Sequence, residues 1–269
     1  MNIECCVCDM DGTLLNSKRD VSEANVEAIR KLREKGVEIV LATGRTDLYV
    51  KDVAHRLGIS APVISSNGGM VRQINSDEVL YYKYLPNGID RKLAENCFEN
   101  NDDIIVYSSD WVYYRDGSER VKLFHSYNER VQPEFRVPIQ TIKQPENLPF
   151  GKVLKFFLWN VAPKRTTALQ KLYQEQLAMV SSEKNAFDIM AKGISKGEAL
   201  RFLSKKMGFD LKKTAVFGDN YNDISMLSLA GHPIAMANAE EEVKRQAKYV
   251  TTSNDEDGIA YAIEHYILV

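Results

Sequence analysis

The chain has 269 residues, enough for one large domain or two ordinary ones, and its 44% hydrophobic and 27% charged residues are the balance of a globular protein with its own core. A formal net charge of −2 removes the electrostatic argument for nucleic acid or an anionic membrane as partner. No apolar run approaches the length of a membrane span, and Met1-Asn2-Ile3-Glu4 lacks the basic start and apolar stretch of a secretory signal, so the expected location is the cytoplasm. The cysteines, Cys5, Cys6, Cys8 and Cys97, fit that reading as reduced, buried apolar residues; Cys5 and Cys6 point to opposite faces of a strand and are badly placed to share a metal.

Taken in order, Ile3 to Cys8 is a short apolar run ending at Asp9, as in a strand buried on both faces. Asp20-Val21-Ser22 precedes an amphipathic helix with Val26, Ile29 and Leu32 on one face, stopped at Gly36. Val37 to Ala42 is the next strand, followed by a helix carrying Val50, Val53 and Leu57 and closed at Gly58; Pro62 to Ser65 reads as a third strand. This βαβαβ rhythm predicts an open parallel sheet with helices on both faces.

The rhythm then breaks. Met70–Gln73 and Val79–Tyr82 read as a hairpin, followed by strands at 104–108, 111–115 and 152–159 and helices around 90–100 and 164–176. From Ser195 it returns, with a helix from Glu198 to Met207, a strand at 214–217, a helix at 223–229, and a further strand–helix alternation to the end. The expected fold class is therefore α/β: a doubly wound, Rossmann-like parallel-sheet core formed by residues 1–83 and 191–269, with an inserted α+β cap domain at 84–190.

Ligands of open parallel sheets bind outside the carboxyl ends of the strands. The polar segments there are Asp9-Met10-Asp11-Gly12-Thr13, Thr43-Gly44-Arg45, Ser65-Ser66-Asn67-Gly68 and Gly218-Asp219-Asn220-Tyr221-Asn222-Asp223, with Lys196 opening a later helix. Over the whole chain this set resembles the haloacid-dehalogenase-like phosphatases, in particular the Cof-type branch with a large cap. Asp9-x-Asp11-Gly12-Thr13 is similar to the family's first motif, Thr43-Gly44-Arg45 to its second, Lys196 to its third and Gly218-Asp219-x-x-Asn222-Asp223 to its fourth. The resemblance implies hydrolysis of small phosphorylated metabolites, sugar phosphates foremost, through an aspartyl-phosphate. It also implies that residue 11 contributes its backbone carbonyl to a metal site with Asp9, Asp219 and Asp223.

The residue types suit that chemistry. Asp9 is a carboxylate that can attack phosphorus and split hydrolysis into two easier steps. Clustered carboxylates repel a phosphate unless a cation lies between them, and Mg²⁺ takes hard oxygen ligands and bridges carboxylate to phosphate. Asp11, two residues on, can serve as general acid and base. Thr43 and Lys196 can stabilise the charge of the transferring phosphoryl group, while Gly12 and Gly44 permit close backbone approach.

Some assignments stay open on sequence grounds. Asn222 either donates its amide to phosphate or caps the following helix, and Asp11 and Asp223 could each be a helix cap. Asn67, with Ser65 and Ser66, is either turn chemistry or a substrate contact; Arg45 pairs with substrate or with an acid of the cap. His55, His125, His232 and His265 share no metal spacing. The rival functions are a phosphomutase on the same fold and a phospho-acceptor signalling or binding module. Receiver-type modules are much shorter and carry the acceptor Asp in mid-domain.

Overall fold

A computed structural model describes residues 2–183 and 185–268 of the chain. Two compact units result, one built from the chain up to Tyr81 and again from Ser195, the other from Tyr82–Ile194. In chain order the first pass contains β1 (Cys5–Cys8), α1 (Glu23–Glu34), β2 (Glu38–Leu41), α2 (Lys51–Arg56), β3 (Val63–Ser65), β4 (Met70–Arg72) and β5 (Val79–Tyr82). The second unit adds α3 (Ile89–Glu99), β6 (Asp103–Ser108), β7 (Val112–Arg115), α4 (Lys122–Arg130), β8 (Ile139–Ile142), β9 (Val153–Trp159), α5 (Pro163–Tyr173), β10 (Leu177–Glu183) and β11 (Ala186–Ala191). The return pass holds α6 (Lys196–Met207), β12 (Thr214–Gly218), α7 (Ile224–Leu227), β13 (His232–Ala235), α8 (Glu241–Gln246), β14 (Tyr249–Val250) and α9 (Gly258–Ala262).

The sheet of the first unit runs β14-β13-β12-β1-β2, and every neighbouring pair is parallel. Strand β1 is fully buried between β12 and β2, with Cys5 opposite both Thr214 and Glu38. After β1 the chain moves outward to β2 on one side; on its return it enters β12 on the other side and moves outward to β14. The order therefore reverses between β1 and β12, and a crevice opens outside their carboxyl ends. Asp9 and Asp219 are the residues that follow those two ends.

Helix α1 shows how this frame is written locally. The Ser22 hydroxyl accepts from the Asn25 amide at 3.2 Å, Glu23 lies in the first turn, and Lys31 and Arg33 lie in the last. Its buried stripe is Asn25, Ala28, Ile29 and Leu32, while Val26 packs only half-buried at the edge. The polar member is satisfied, because Asn25 Oδ1 accepts from the Ala260 amide of α9 at 2.9 Å.

The third strand departs from the expected parallel sheet. Strand β3 touches β2 through a single parallel bridge, Ala42 to Ile64, and otherwise pairs antiparallel with β4 in a separate sheet ordered β3-β4-β5. A left-handed turn at residues 66–68 reverses the chain directly after Ser65, so β3 stays three residues long and β4 takes up its bonding.

In the second unit the sheet order is β10-β11-β9-β6-β7-β8, mixed because β7 and β8 run parallel. Alternate residues Ile104, Val106, Phe156 and Leu158 pack against Leu93 and Cys97 of α3 and Leu169 and Tyr173 of α5. The unit changes over at Tyr81/Tyr82 and Ile194/Ser195, a few residues from 83/84 and 190/191, since β11 itself runs to Ala191. The cysteines are free and buried. No helix among the described residues is long and apolar enough to cross a membrane.

One buried ion pair ties the β3-β4-β5 sheet to the helical turn Asp47–Tyr49 that follows β2. Arg72 Nε of β4 lies 2.7 Å from Asp47 Oδ2, with the side chains 7% and 1% exposed. Removing one partner of such a pair strands the other charge, which typically costs about 3–5 kcal/mol. Arg72→Met is expected to lower unfolding stability by that order, read as a shift of the urea midpoint at unchanged slope. A loss under about 1 kcal/mol would show that the hydroxyls around Asp47 suffice without the guanidinium.

Candidate active site

The site is assembled at the β1–β12 switch point. Asp9 leaves β1 with its amide donating to Phe217 O of β12 at 3.1 Å, and its side chain is buried. Lys196 opens α6 just after Ser195, whose hydroxyl caps the helix by accepting from the Glu198 amide at 3.1 Å. The Lys196 side chain is wholly buried and its ammonium donates to Asp9 Oδ1 at 2.5 Å and to Asp223 Oδ1 at 2.6 Å. The other oxygen of Asp223 accepts from the amides of Asp219 and Asn220, each at 3.0 Å. Asp223 thus caps its turn, one of its two sequence readings, and also pairs with Lys196, a contact the sequence did not indicate for it.

Asp219 accepts from the Thr13 hydroxyl at 2.8 Å. Gly12 is required against it: its φ is +79°, and a Cβ there would lie 2.4 Å from Asp219 Oδ2. The carboxylates of Asp9, Asp219 and Asp223 offer oxygens all within 4.8 Å of one another, set against the single ammonium of Lys196. The electrostatic consequences follow. Burial and the neighbouring Asp223 charge push Asp9 well above the usual carboxylate range, against the pull of Lys196. Asp219 is pushed up to about 6, first by burial and also by Asp223, although Thr13 and Lys196 oppose it. Burial works against a charged Lys196, but Asp223 and Asp9 outweigh it and hold the ammonium protonated.

Such a set fits a divalent cation. It offers hard oxygen donors with surplus negative charge, and two of its members are protonated more readily than ordinary carboxylates while no cation relieves them. Asp9 and Asp219 have the freest oxygens for an ion; both oxygens of Asp223 already serve protein partners.

The Asp11 side chain lies outside this cluster. It is 56% exposed, and Arg45 grips it with Nε to Oδ2 at 2.8 Å and Nη2 to Oδ1 at 2.6 Å. Burial of the carboxyl raises its pKa, but the Arg45 bonds and charge, aided by Arg19 and Lys196, hold it below the usual range. Arg45 stacks over Tyr49 at 4.6 Å, and its amide donates to Thr43 Oγ1 at 3.1 Å. The acid that Arg45 pairs with is therefore Asp11 of its own unit, a partner the sequence did not indicate.

Thr43 is fully buried; Gly44 backs onto the Asn67 side chain, and Asn67 Oδ1 accepts from Asn222 Nδ2 at 2.9 Å. The capping alternative for Asn222 is filled by Asn220, whose Oδ1 accepts from the Tyr221 amide at 2.7 Å. Two asparagines escaped the sequence reading. Asn238 Nδ2 donates to Gly12 O at 2.8 Å while its Oδ1 accepts from the Asn254 amide at 3.0 Å, and Asn254 Nδ2 donates to Leu15 O at 2.9 Å. Together they strap the loop that carries Asp11. Asn238 lies just past the carboxyl end of β13, where the strand-end rule applied to Asp219 would have pointed.

The family model of the haloacid dehalogenase-like hydrolases matches residues 6–263, and the chain belongs to that family. It is similar to 5-amino-6-(5-phospho-D-ribitylamino)uracil phosphatase YcsE of Bacillus subtilis, 32% identical with 100% of this chain and 97% of the relative covered. A haloacid dehalogenase-like hydrolase from Bacteroides thetaiotaomicron has a solved structure with TM-score 0.86 at 29% identity, covering 97% of this chain and 98% of that one. A sugar phosphatase of subclass IIB matches with TM-score 0.84 at 25% identity, over 99% of this chain and 100% of that one. Within the family the chain falls among the Cof-type phosphatases and is a phosphoric monoester hydrolase.

The raised carboxylates make a stability prediction. Without a cation the folded protein holds protons on Asp9 and Asp219 that the unfolded chain has already released, so stability falls as pH rises from the ordinary carboxylate value through about 6 for Asp219. A bound divalent cation cancels that loss. Excess Mg²⁺ should therefore raise Tm more at about pH 7.5 than at about pH 5, and Asp219→Asn should raise the Tm of the metal-free protein at the higher pH. Equal Mg²⁺ shifts at both pH values would contradict the account.

Proposed function

We propose that this protein hydrolyses the phosphate monoester of a small polyhydroxy metabolite, a sugar phosphate foremost, with Mg²⁺ held by Asp9, Asp219, the backbone carbonyl of Asp11 and, more remotely, Asp223. The observation that carries the reading is the cluster of three carboxylates around one buried ammonium at the β1–β12 switch point. Mg²⁺, when bound, supplies the positive charge that lets a carboxylate approach a phosphate dianion.

The residues of the chain divide the remaining work. An oxygen of Asp9 attacks phosphorus, forming the aspartyl O–P bond as the ester P–O bond breaks; Asp11 gives its proton to the departing alkoxide. Asp11, now a carboxylate, takes a proton from the water that attacks the aspartyl-phosphate, releasing inorganic phosphate and restoring both residues. Lys196 neutralises one negative charge of the cluster and fixes the attacking oxygen, and Thr43 donates to the transferring group. The ion pair with Arg45 holds Asp11 ionised in the free enzyme. Asp11 therefore leaves Arg45 and takes a proton from solvent as substrate binds, and the proton it gains in the second step returns to solvent when the pair re-forms. Backbone amides beside Gly12 and Gly44, with Asn222 and Asn67, complete the phosphate pocket.

Substrate class rests on two relatives. One acts on a phosphorylated ribityl side chain and the other is a sugar phosphatase, so both names describe phosphate on a polyol carbon. Choice among such esters is assigned to the second unit, as a cap over residues 84–190, and the free, buried cysteines suit a cytoplasmic setting.

The division of labour between Asp9 and Asp11 has a direct kinetic signature. An alkoxide leaving group needs a proton, whereas nitrophenolate needs little help. Asp11→Asn should slow first-turnover phosphoenzyme formation severely with a sugar phosphate and mildly with nitrophenyl phosphate, the two penalties differing by about 10²–10⁴-fold. Rapid-quench measurement with both substrates checks this, and equal penalties would assign Asp11 to holding metal or structure instead. Asp9→Asn should abolish turnover of both esters while the far-UV circular dichroism stays native; activity within about tenfold of wild type would remove Asp9 as nucleophile.

A further inference from the structure

We infer that the turn Ser66-Asn67-Gly68 is a positioning element of the active site, in which the Asn67 side chain holds Asn222, and with it the Asp219–Asp223 segment, in register with Thr43 and Lys196. The inference rests on the assignment of Asp9 and Lys196 made above. The backbone of the turn is the first observation. Three consecutive residues have positive φ: Ser66 at 51°, Asn67 at 57° and Gly68 at 96°. Left-handed residues occur singly or in pairs, and a non-glycine residue there needs support from its surroundings. An Asn-Gly pair is what a tight hairpin turn between β3 and β4 asks for, with the Gly69 amide donating to Ser66 O at 3.0 Å. That accounts for Asn67 and Gly68 and leaves Ser66 unexplained. The Ser66 hydroxyl is also 99% buried and has no hydrogen-bond partner among the described residues, a cost an ordinary surface turn avoids.

The attachments of the turn are the second observation. The Ser66 amide donates to Arg45 O at 2.7 Å and the Asn67 amide to Thr43 O at 3.0 Å, which zips the turn to the Thr43–Arg45 segment. Gly68 presses on the start of α6: a Cβ there would lie 2.1 Å from Ser195 O and 3.0 Å from the Lys196 amide nitrogen. Asn67 Oδ1 receives Asn222 Nδ2 at 2.9 Å. Two strand-end segments and the start of α6, distant in sequence, therefore bear on one short turn, and a further strand end, at Asp9, is tied to it through the Lys196 ammonium. Backbone contacts fix Thr43 and the root of Lys196, whereas the link to Asn222 depends on the Asn67 amide. A phosphoryl-transfer site loses rate steeply when its groups shift by fractions of an ångström, so this link should act on the chemical step.

Glycine separates the side chain from the turn, because it accepts the left-handed backbone while deleting the amide. Asn67→Gly is expected to lower kcat for nitrophenyl phosphate by about 10-fold to 10²-fold with KM within about twofold of wild type and Tm within a few degrees. Asn222→Ala removes the same link from its other end together with the Asn222 amide itself, so its loss should be at least as large, and the double variant should be no slower than Asn222→Ala. Wild-type kcat in Asn67→Gly, a raised KM with kcat intact, or additive losses in the double variant would each overturn the inference. Should Asn67→Gly fail to fold, Asn67→Ser takes its place, since Ser66 shows that serine adopts this backbone and its hydroxyl is too short to hold Asn222: a lowered kcat at unchanged KM and Tm supports the inference, and an unchanged kcat overturns it. Asp9→Asn measured alongside keeps the two readings apart, since turnover surviving there would undo the site assignment itself rather than the role of the turn.

Discussion

The first unit is organised around a lysine ammonium with no access to water. Lys196 is wholly buried between Asp9 and Asp223, and a charge so placed is tolerated only when its partners are fixed and themselves satisfied. That requirement propagates. Asp223 must present one oxygen to the ammonium, and it is held there by the two amides that its other oxygen receives from residues 219 and 220. The same bonds shape the turn after β12 and so place Asp219 beside Thr13 and Gly12 of the segment after β1. The ends of two neighbouring strands and the start of α6 are thereby locked to one another by a handful of polar contacts.

The arrangement leaves the site short of positive charge. One ammonium answers three carboxylates, and burial raises Asp9 and Asp219 rather than letting them ionise freely. A fold selected for stability alone would gain by replacing Asp219, whose carboxylate is raised chiefly by burial and forms no ion pair with a cationic side chain among the described residues. The surplus is useful only to something that arrives with positive charge and leaves room for a phosphate. Stability is given up where the chemistry needs an unsatisfied anion.

Much of this was legible in the sequence because it follows from where parallel strands end. Asp9, Thr43, Asp219 and Asp223 each follow a buried apolar run, and the topology brings such ends to one side. Lys196 was readable as a helix-start lysine, although the helix read only from Glu198 and the Ser195 cap that sets its start went unread. What escaped is what depends on side-chain direction or on weak periodicity. Nothing in the spacing of Asp11 and Arg45 says that they grip one another, since both flank the site and either could face substrate. Strand β3 read as a third parallel strand because its apolar pattern is the same in either sheet, and only the positive φ values after it decide. In the second unit, α4 and strands β8, β10 and β11 went unseen; β8 shows why, with Gln140 and Thr141 exposed at a sheet edge and no alternation to read.

The central claim is that phosphate passes through covalent attachment to Asp9, and the most direct measurement is to find it there. The Mg²⁺-loaded enzyme would be mixed with nitrophenyl phosphate, quenched in acid within the first turnover, digested and mapped by mass spectrometry. The account predicts one added phosphoryl group on the peptide containing Asp9, localised to that side chain by borohydride reduction, and absent when Asp9 is replaced. Phosphate on another residue, or stoichiometric phosphate release during the first turnover with an unmodified Asp9 at every quench time, would contradict it.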